Sequence, residues 1–128
     1  FNNGNMIRDF TYIDDIVESL TRLLKKPAKS SSEFNSKMPL PNISWAPHRI
    51  FNIGNSKPVE LMNYIESLEK SLKIKAKIQF LPIQPGDVPI TSSDNTSLEK
   101  WINFKPNTTI EEGIDSFVRW YKDYYENN

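Results

Sequence analysis

The chain has 128 residues, 38% of them hydrophobic, and sixteen basic against sixteen acidic side chains leave it without net charge. That length suits one domain with a single core, and the charge balance speaks against nucleic acid as a partner. The lack of cysteine removes disulfides, thiolate metal sites and thiol nucleophiles, which suits a cytoplasmic protein, and no apolar run approaches the about 18 residues that a membrane helix needs.

The chain opens on "FNNGN", an aromatic residue directly before a turn-rich stretch. Asn-Gly tolerates positive φ, so the stretch predicts a hairpin: the end of one strand, a turn at 2–5 and a second strand over 7–13. So little chain before a turn raises the expectation of a piece of a larger protein. After Tyr12 the period changes. Ile13, Ile16, Val17, Leu20, Leu23 and Leu24 recur at helical spacing, with Asp14 and Asp15 at one end and Lys25 and Lys26 at the other. Those charges complement the helix dipole, and Pro27 ends the run. Residues 27–47 hold four prolines and a serine run without periodicity. A loop of that length is expected to be partly ordered, docked through Phe34, Met38 and Trp45.

"RIFNIG" at 49–54 alternates as a short strand. Pro58 fits the first turn of a helix whose buried stripe is Leu61, Ile65, Leu68 and Leu72. "AKIQFLPI" at 76–83 reads as a strand, and "QPGDVP" as a tight turn bracketed by prolines. Asp94 or Asn95 caps a short helix that ends at Asn103, a residue that tolerates the left-handed conformation. Thr108 with Glu111 has the spacing of a capping box. Beyond it Ile110, Ile114, Phe117, Val118, Tyr121 and Tyr124 share one helical face. Gly113 weakens that helix by roughly 1 kcal/mol relative to alanine, which implies a backbone packed closely against it. The class is α/β, with short strands and about four helices in one domain over 1–128.

No self-contained active site is evident. His48 has no acid neighbour in sequence, Asp14 and Asp15 suit helix capping better than metal binding, and Ser30, Ser31 and Ser32 read as flexible loop. Two features carry chemistry. Arg8 sits just past a turn at a strand edge, where a guanidinium either forks onto a phosphate or pairs with a carboxylate such as Asp9. Pro85 and Gly86 force a turn that presents Gln84 and Asp87 together, an amide and an acceptor suited to a sugar hydroxyl, though a plain turn explains them as well.

"RDFTYIDDIVESL", "RIFNIGNSKPVELMNYIESLE", "IQPGDVPIT" and "FKPNTTIEEGIDSFVRWYKDYY" follow one another in an order that is familiar. With them the chain resembles the C-terminal part of NAD-dependent nucleotide-sugar epimerases of the extended short-chain dehydrogenase/reductase superfamily, UDP-glucuronate 4-epimerases above all. The resemblance covers nearly the whole chain and is weakest over 29–44. It implies a Rossmann-type enzyme in which Arg8 contacts the nucleotide diphosphate, Phe1 lies by the uracil, and Gln84 and Asp87 border the ribose and diphosphate. Many relatives have arginine where this chain has Gln84, which puts a second phosphate clamp in doubt.

The family's glycine-rich NAD turn and its catalytic tyrosine-x-x-x-lysine pair have no counterpart here; Tyr121 is followed four residues on by Tyr125. The resemblance therefore implies a UDP-sugar-binding portion that binds no NAD itself, is inactive alone, and works with an N-terminal Rossmann domain. Without that domain it is expected to self-associate through the bared face. A nucleotide-sugar dehydratase or decarboxylase, or a non-catalytic binding module, are the other readings.

Overall fold

In the computed structural model, which describes residues 1–126, the four expected helices are present: α1 (Ile13–Lys25), α2 (Leu61–Leu72), α3 (Thr96–Ile102) and α4 (Ile110–Glu126). The helix ends follow local chemistry. Asn103 closes α3 in the left-handed conformation at φ 50°, as its amide side chain allows, and Lys73 closes α2 the same way. Of the two candidate caps before α3, Asp94 accepts the Thr96 N–H, and hydrogen bonding from the Thr96 side chain, with that N–H second, holds its carboxyl below the usual range. The capping box of α4 lies one residue later than expected. Thr109 and Glu112 exchange the bonds, the Glu112 carboxylate taking the Thr109 N–H and hydroxyl and the Thr109 hydroxyl taking the Glu112 N–H.

The strands are far shorter than the alternation suggests. Among the described residues there is one two-stranded antiparallel sheet, β1 (Ile7–Arg8) on β2 (Val59–Glu60), with Ile7 opposite Glu60 and Arg8 opposite Val59. The hairpin at the start does not form. Asn2, Asn3 and Gly4 all take positive φ and wind a 3-10 turn, and the Asn3 N–H pairs with the Leu81 carbonyl. Pro58 stands before β2, outside α2. Residues 49–54 and 76–83 are not strands. Arg49 makes a single bridge to Ile43, and Ile78, Phe80, Leu81 and Ile83 are all exposed. Alternation selects a residue set that fits a sheet face, but a strand also needs a neighbour to complete its ladder.

The loop over 27–47 is anchored by Ile43, which is buried; Phe34 is half-buried, whereas Met38 and Trp45 stand exposed. Met6, Leu98, Ile102, Ile114 and Val118 are buried beside Pro106 and form the core, and α2 packs along α4. Gly113 lies against a ring rather than a backbone: a Cβ there would meet Tyr12 at 3.2 Å.

The polarity of α1 is inverted. Its fully buried residues are Asp15 and Ser19, with Ile16 and Leu23 half-buried beside them, while Ile13, Val17, Leu20 and Leu24 face outward, Leu24 being 84% exposed. Asp15 does not cap its own helix. Its Oδ2 accepts the N–H groups of Asn107 and Thr108 at 3.2 and 3.0 Å, tying α1 to the entry of α4. The far end of α1 is fastened to α3, where the Trp101 indole N–H donates to the Lys26 carbonyl and Arg49 stacks on the indole at 4.6 Å. The accessible surface reaches 9459 Å², against roughly 7,000 Å² for a self-contained folded chain of this mass.

Asp15→Ala leaves two N–H groups without their acceptor at a buried position. It is expected to lower the unfolding free energy by about 1–3 kcal/mol, measured as a shift in the urea midpoint at unchanged slope, and Asp15→Asn, which keeps one acceptor, to lose less.

Candidate functional site

Residues 6–9 are held from two sides, and this is what positions Arg8. On one side they pair with β2, and the Met6 carbonyl takes the Leu61 N–H. On the other, the Ile7 N–H donates to Pro89 and its carbonyl accepts from Thr91. The stretch that follows the 84–87 turn is thereby laid along β1. The turn itself closes with the Asp87 N–H on the Gln84 carbonyl at 3.1 Å. Pro85 and Gly86 occupy its second and third positions, and Gly86 has φ 84° with nothing within 4 Å of a Cβ built on it. Glycine is required there by the backbone angle, as in a type II turn, and not by crowding.

Arg8 crosses to this turn. Its Nη2 donates to Asp87 Oδ1 at 2.9 Å and lies 3.9 Å from the Met6 sulfur, while Nη1 donates to the carbonyls of Ile7 and Pro89 at 3.0 and 3.1 Å. The side chains of Arg8 and Asp87 are 24% and 31% exposed, so the pair lies at the surface with one side open. The carboxylate that Arg8 takes is thus Asp87, 79 residues away, and not its neighbour Asp9.

Asp9 has a different task. Its Oδ2 accepts the N–H groups of Ser56 and Ser93 at 3.1 and 2.9 Å, and Thr91 Oγ1 accepts its own N–H. Gly54 belongs to the same knot, for a Cβ there would come within 2.4 Å of Ser93. Buried Asn95 adds a donor to the Gly54 carbonyl and an acceptor for the Ser93 hydroxyl. No local pattern announces these partners, because each lies more than 40 residues from Asp9.

Of the residues singled out in the sequence, the structure brings Arg8 and Asp87 into contact and puts Gln84 at the head of the same turn through its backbone. Phe1 is 46% exposed and joins the group through no described contact; its carbonyl accepts from Gly4. His48 reaches only the Pro41 carbonyl within the loop. Among the described residues no cluster of three or more His, Cys, Asp or Glu side chains could hold a metal, and no helix is long and apolar enough to cross a membrane. A separate cleft of about 240 Å³ between the start of α1, α2 and α4 is lined by Tyr12, Phe117 and the stacked pair Phe10 and Tyr64. Sequence reasoning had no means of finding it, since its walls come from three distant stretches.

The edge at Arg8 therefore offers one fixed cation beside one fixed carboxylate, on two segments joined by backbone bonds. It has donors and acceptors for a polar ligand and no nucleophile paired with a base.

Residues 1–117 match the model of a family described as GDP-mannose 4,6 dehydratase. The chain is 48% identical to Protein CapI of Staphylococcus aureus over 98% of its own length and 38% of that protein's. It is 41% identical to a probable UDP-glucuronate 4-epimerase of Rhizobium meliloti, over 98% of the chain and 37% of the relative. The fold is that of the corresponding part of the UDP-glucuronic acid 4-epimerase of Bacillus cereus, solved in complex with UDP-glucuronic acid and NAD, at a TM-score of 0.72, with 24% identity over 98% of this chain and 35% of that one. The chain thus spans little more than a third of the length of the relatives it matches.

Asp9→Ala removes the acceptor shared by Ser56 and Ser93. A loss of about 1–3 kcal/mol in unfolding free energy is expected, together with faster amide exchange at both N–H groups than at the Asp15-bound pair, which hydrogen-exchange mass spectrometry resolves.

Proposed function

The chain belongs to the GDP-mannose 4,6 dehydratase family, and on that premise we propose that it is the nucleotide-sugar-binding part of an NAD-dependent epimerase whose substrate is UDP-glucuronate. The observation that carries the reading is the Arg8 guanidinium held by backbone and carboxylate at the edge of the "QPGD" turn. A guanidinium fixed in this way is preorganised for a phosphate oxygen, and holding it in place beforehand removes much of the entropy cost of binding. Arg8 is read as the diphosphate ligand, Asp87 as the acceptor for a ribose hydroxyl, exposed Phe1 as a face for the uracil, and Gln84 as a neutral contact where an arginine would add a second charge. The family's description favours a dehydratase; the relatives named above as UDP-glucuronate epimerases favour epimerisation, and that is the reaction proposed.

Transfer of a hydride needs NAD, and the residues here do not fit it. The four glycines, at 4, 54, 86 and 113, form no phosphate-cradling turn, and no tyrosine is followed four residues on by lysine. The chain's own contribution is to bind and orient the nucleotide; oxidation at the sugar is assigned to residues outside it.

The outward stripe of Ile13, Val17, Leu20 and Leu24 supports a second body packed on α1. A solvent-facing stripe of that regularity on a helix whose fully buried residues are polar is the pattern of an element shared between two bodies. We assign the cover to an N-terminal Rossmann domain, which would also reduce the surplus accessible surface.

Two outcomes are expected. Arg8→Ala in the intact protein should weaken UDP binding by about tenfold to a hundredfold, the loss of a charge-assisted bond of roughly 1.5–3 kcal/mol, while the melting temperature falls modestly, since a partly exposed ion pair and two backbone hydrogen bonds go with the side chain. Arg8→Lys should restore part of the affinity. Titration calorimetry with UDP beside a thermal melt measures both, and unchanged affinity refutes the assignment. Separately, the 128-residue chain on its own should associate with rising concentration, and Val17→Lys with Leu20→Lys should return it to monomer in sedimentation velocity; a monomer from the outset contradicts the proposed cover.

A further inference from the structure

Asn55 is 2% exposed and its amide group donates to the Thr108 carbonyl at 2.9 Å, yet its Oδ1 is buried without a donor. A buried acceptor left unpaired is destabilising, and a group from outside the fold that supplies a proton relieves it. Asn55 stands in the wall of a cleft of about 230 Å³ between α2 and the start of α4, which neither Arg8 nor any residue of the 84–87 turn lines. Lys57, Asn63, Ser67 and Glu111 line the same cleft, and among the described residues their side chains form no hydrogen bond or ion pair. Ser67 and Glu111 also belong to a second cleft of about 350 Å³, so the two run on as one groove that ends at Lys70 and Asp115. Lysine and carboxylate thus alternate along it, and none of the four closes an ion pair with another.

We propose that the groove between α2 and α4 is a second binding site, for a neutral saccharide. A lysine only donates, a carboxylate and the free Asn55 oxygen only accept, and Asn63 and Ser67 do both. The one functional group that answers all of these in turn is a hydroxyl. The charges of the groove cancel, which gives neither a polyanion nor a polycation an advantage. Val59 and Ile110, the aliphatic residues of the first cleft, offer a surface to the C–H face of a sugar ring. A peptide fits less well, because it would need a sheet edge or an apolar anchor pocket. The inference does not depend on the reading of Arg8, since the two sites share no side chain.

The test is a titration of the isotope-labelled intact protein with maltose and with lactose, followed by NMR in the presence of saturating UDP. Signals of the Asn55 and Asn63 side-chain amides and of the Ser67, Ile110 and Glu111 N–H groups should shift saturably with at least one disaccharide, in about the millimolar range. Asn63→Ala and Glu111→Gln, both at exposed positions, should each weaken that binding about two- to tenfold, the loss of one hydrogen bond. Arg8→Ala should leave it unchanged. The titration of the unaltered protein needs no variant to fold. No saturable shift with either sugar overturns the site, as do shifts that both groove variants leave as they were. Shifts that appear only without UDP, or that Arg8→Ala abolishes, place the sugar at the Arg8 edge and overturn it too.

Discussion

Everything near the candidate site depends on the backbone of residues 6–9. Its peptide groups are shared between β2 on one side and residues 89–91 on the other, and Asp9 then extends the same tie to Ser56 and Ser93. Such bonds contribute modestly one at a time, but leaving any of them unmade in a closed region costs more than making it gains. The short stretch thus works as a register device. It decides which residue of the 84–91 segment faces Arg8, and hence which carboxylate the guanidinium meets.

The helices were legible because each carries its own marks: Pro27 after α1, the left-handed tolerance of Asn103, a hydroxyl and a glutamate three residues apart at the start of α4. Even there the competing pairs Thr108 with Glu111 and Thr109 with Glu112 differ by one position, and the pattern cannot choose between them. Asp15 shows why: by taking the N–H of Thr108 it holds that residue in the approach to the helix and leaves Thr109 to cap it. The strands were not legible to the same degree. "RIFNIG" and "AKIQFLPI" have the alternation, but ladder partners are not written into a segment.

Arg8, Gln84 and Asp87 stood out in the sequence because an arginine past a turn and a proline-glycine bend are local features. Their union across 79 residues is not local, and Asp9 was the nearer and more obvious counter-charge. Asp9 was already committed to two backbone donors, which leaves Asp87 to the guanidinium. The motif resemblance placed these residues in one neighbourhood; the bond between two of them is what the three-dimensional arrangement adds.

The inverted α1 has a thermal consequence. Its inner face is held by hydrogen bonds through Asp15 and by the Trp101 contacts, whose strength does not rest on the ordering of water around apolar groups. Its outer face carries the stripe of Ile13, Val17, Leu20 and Leu24, and burial of such side chains is a driving force that fades as temperature falls. The two sides of one helix therefore respond differently to cold: a body packed on the stripe, as proposed, would loosen on chilling before the attachment of α1 to α3 and α4 gave way.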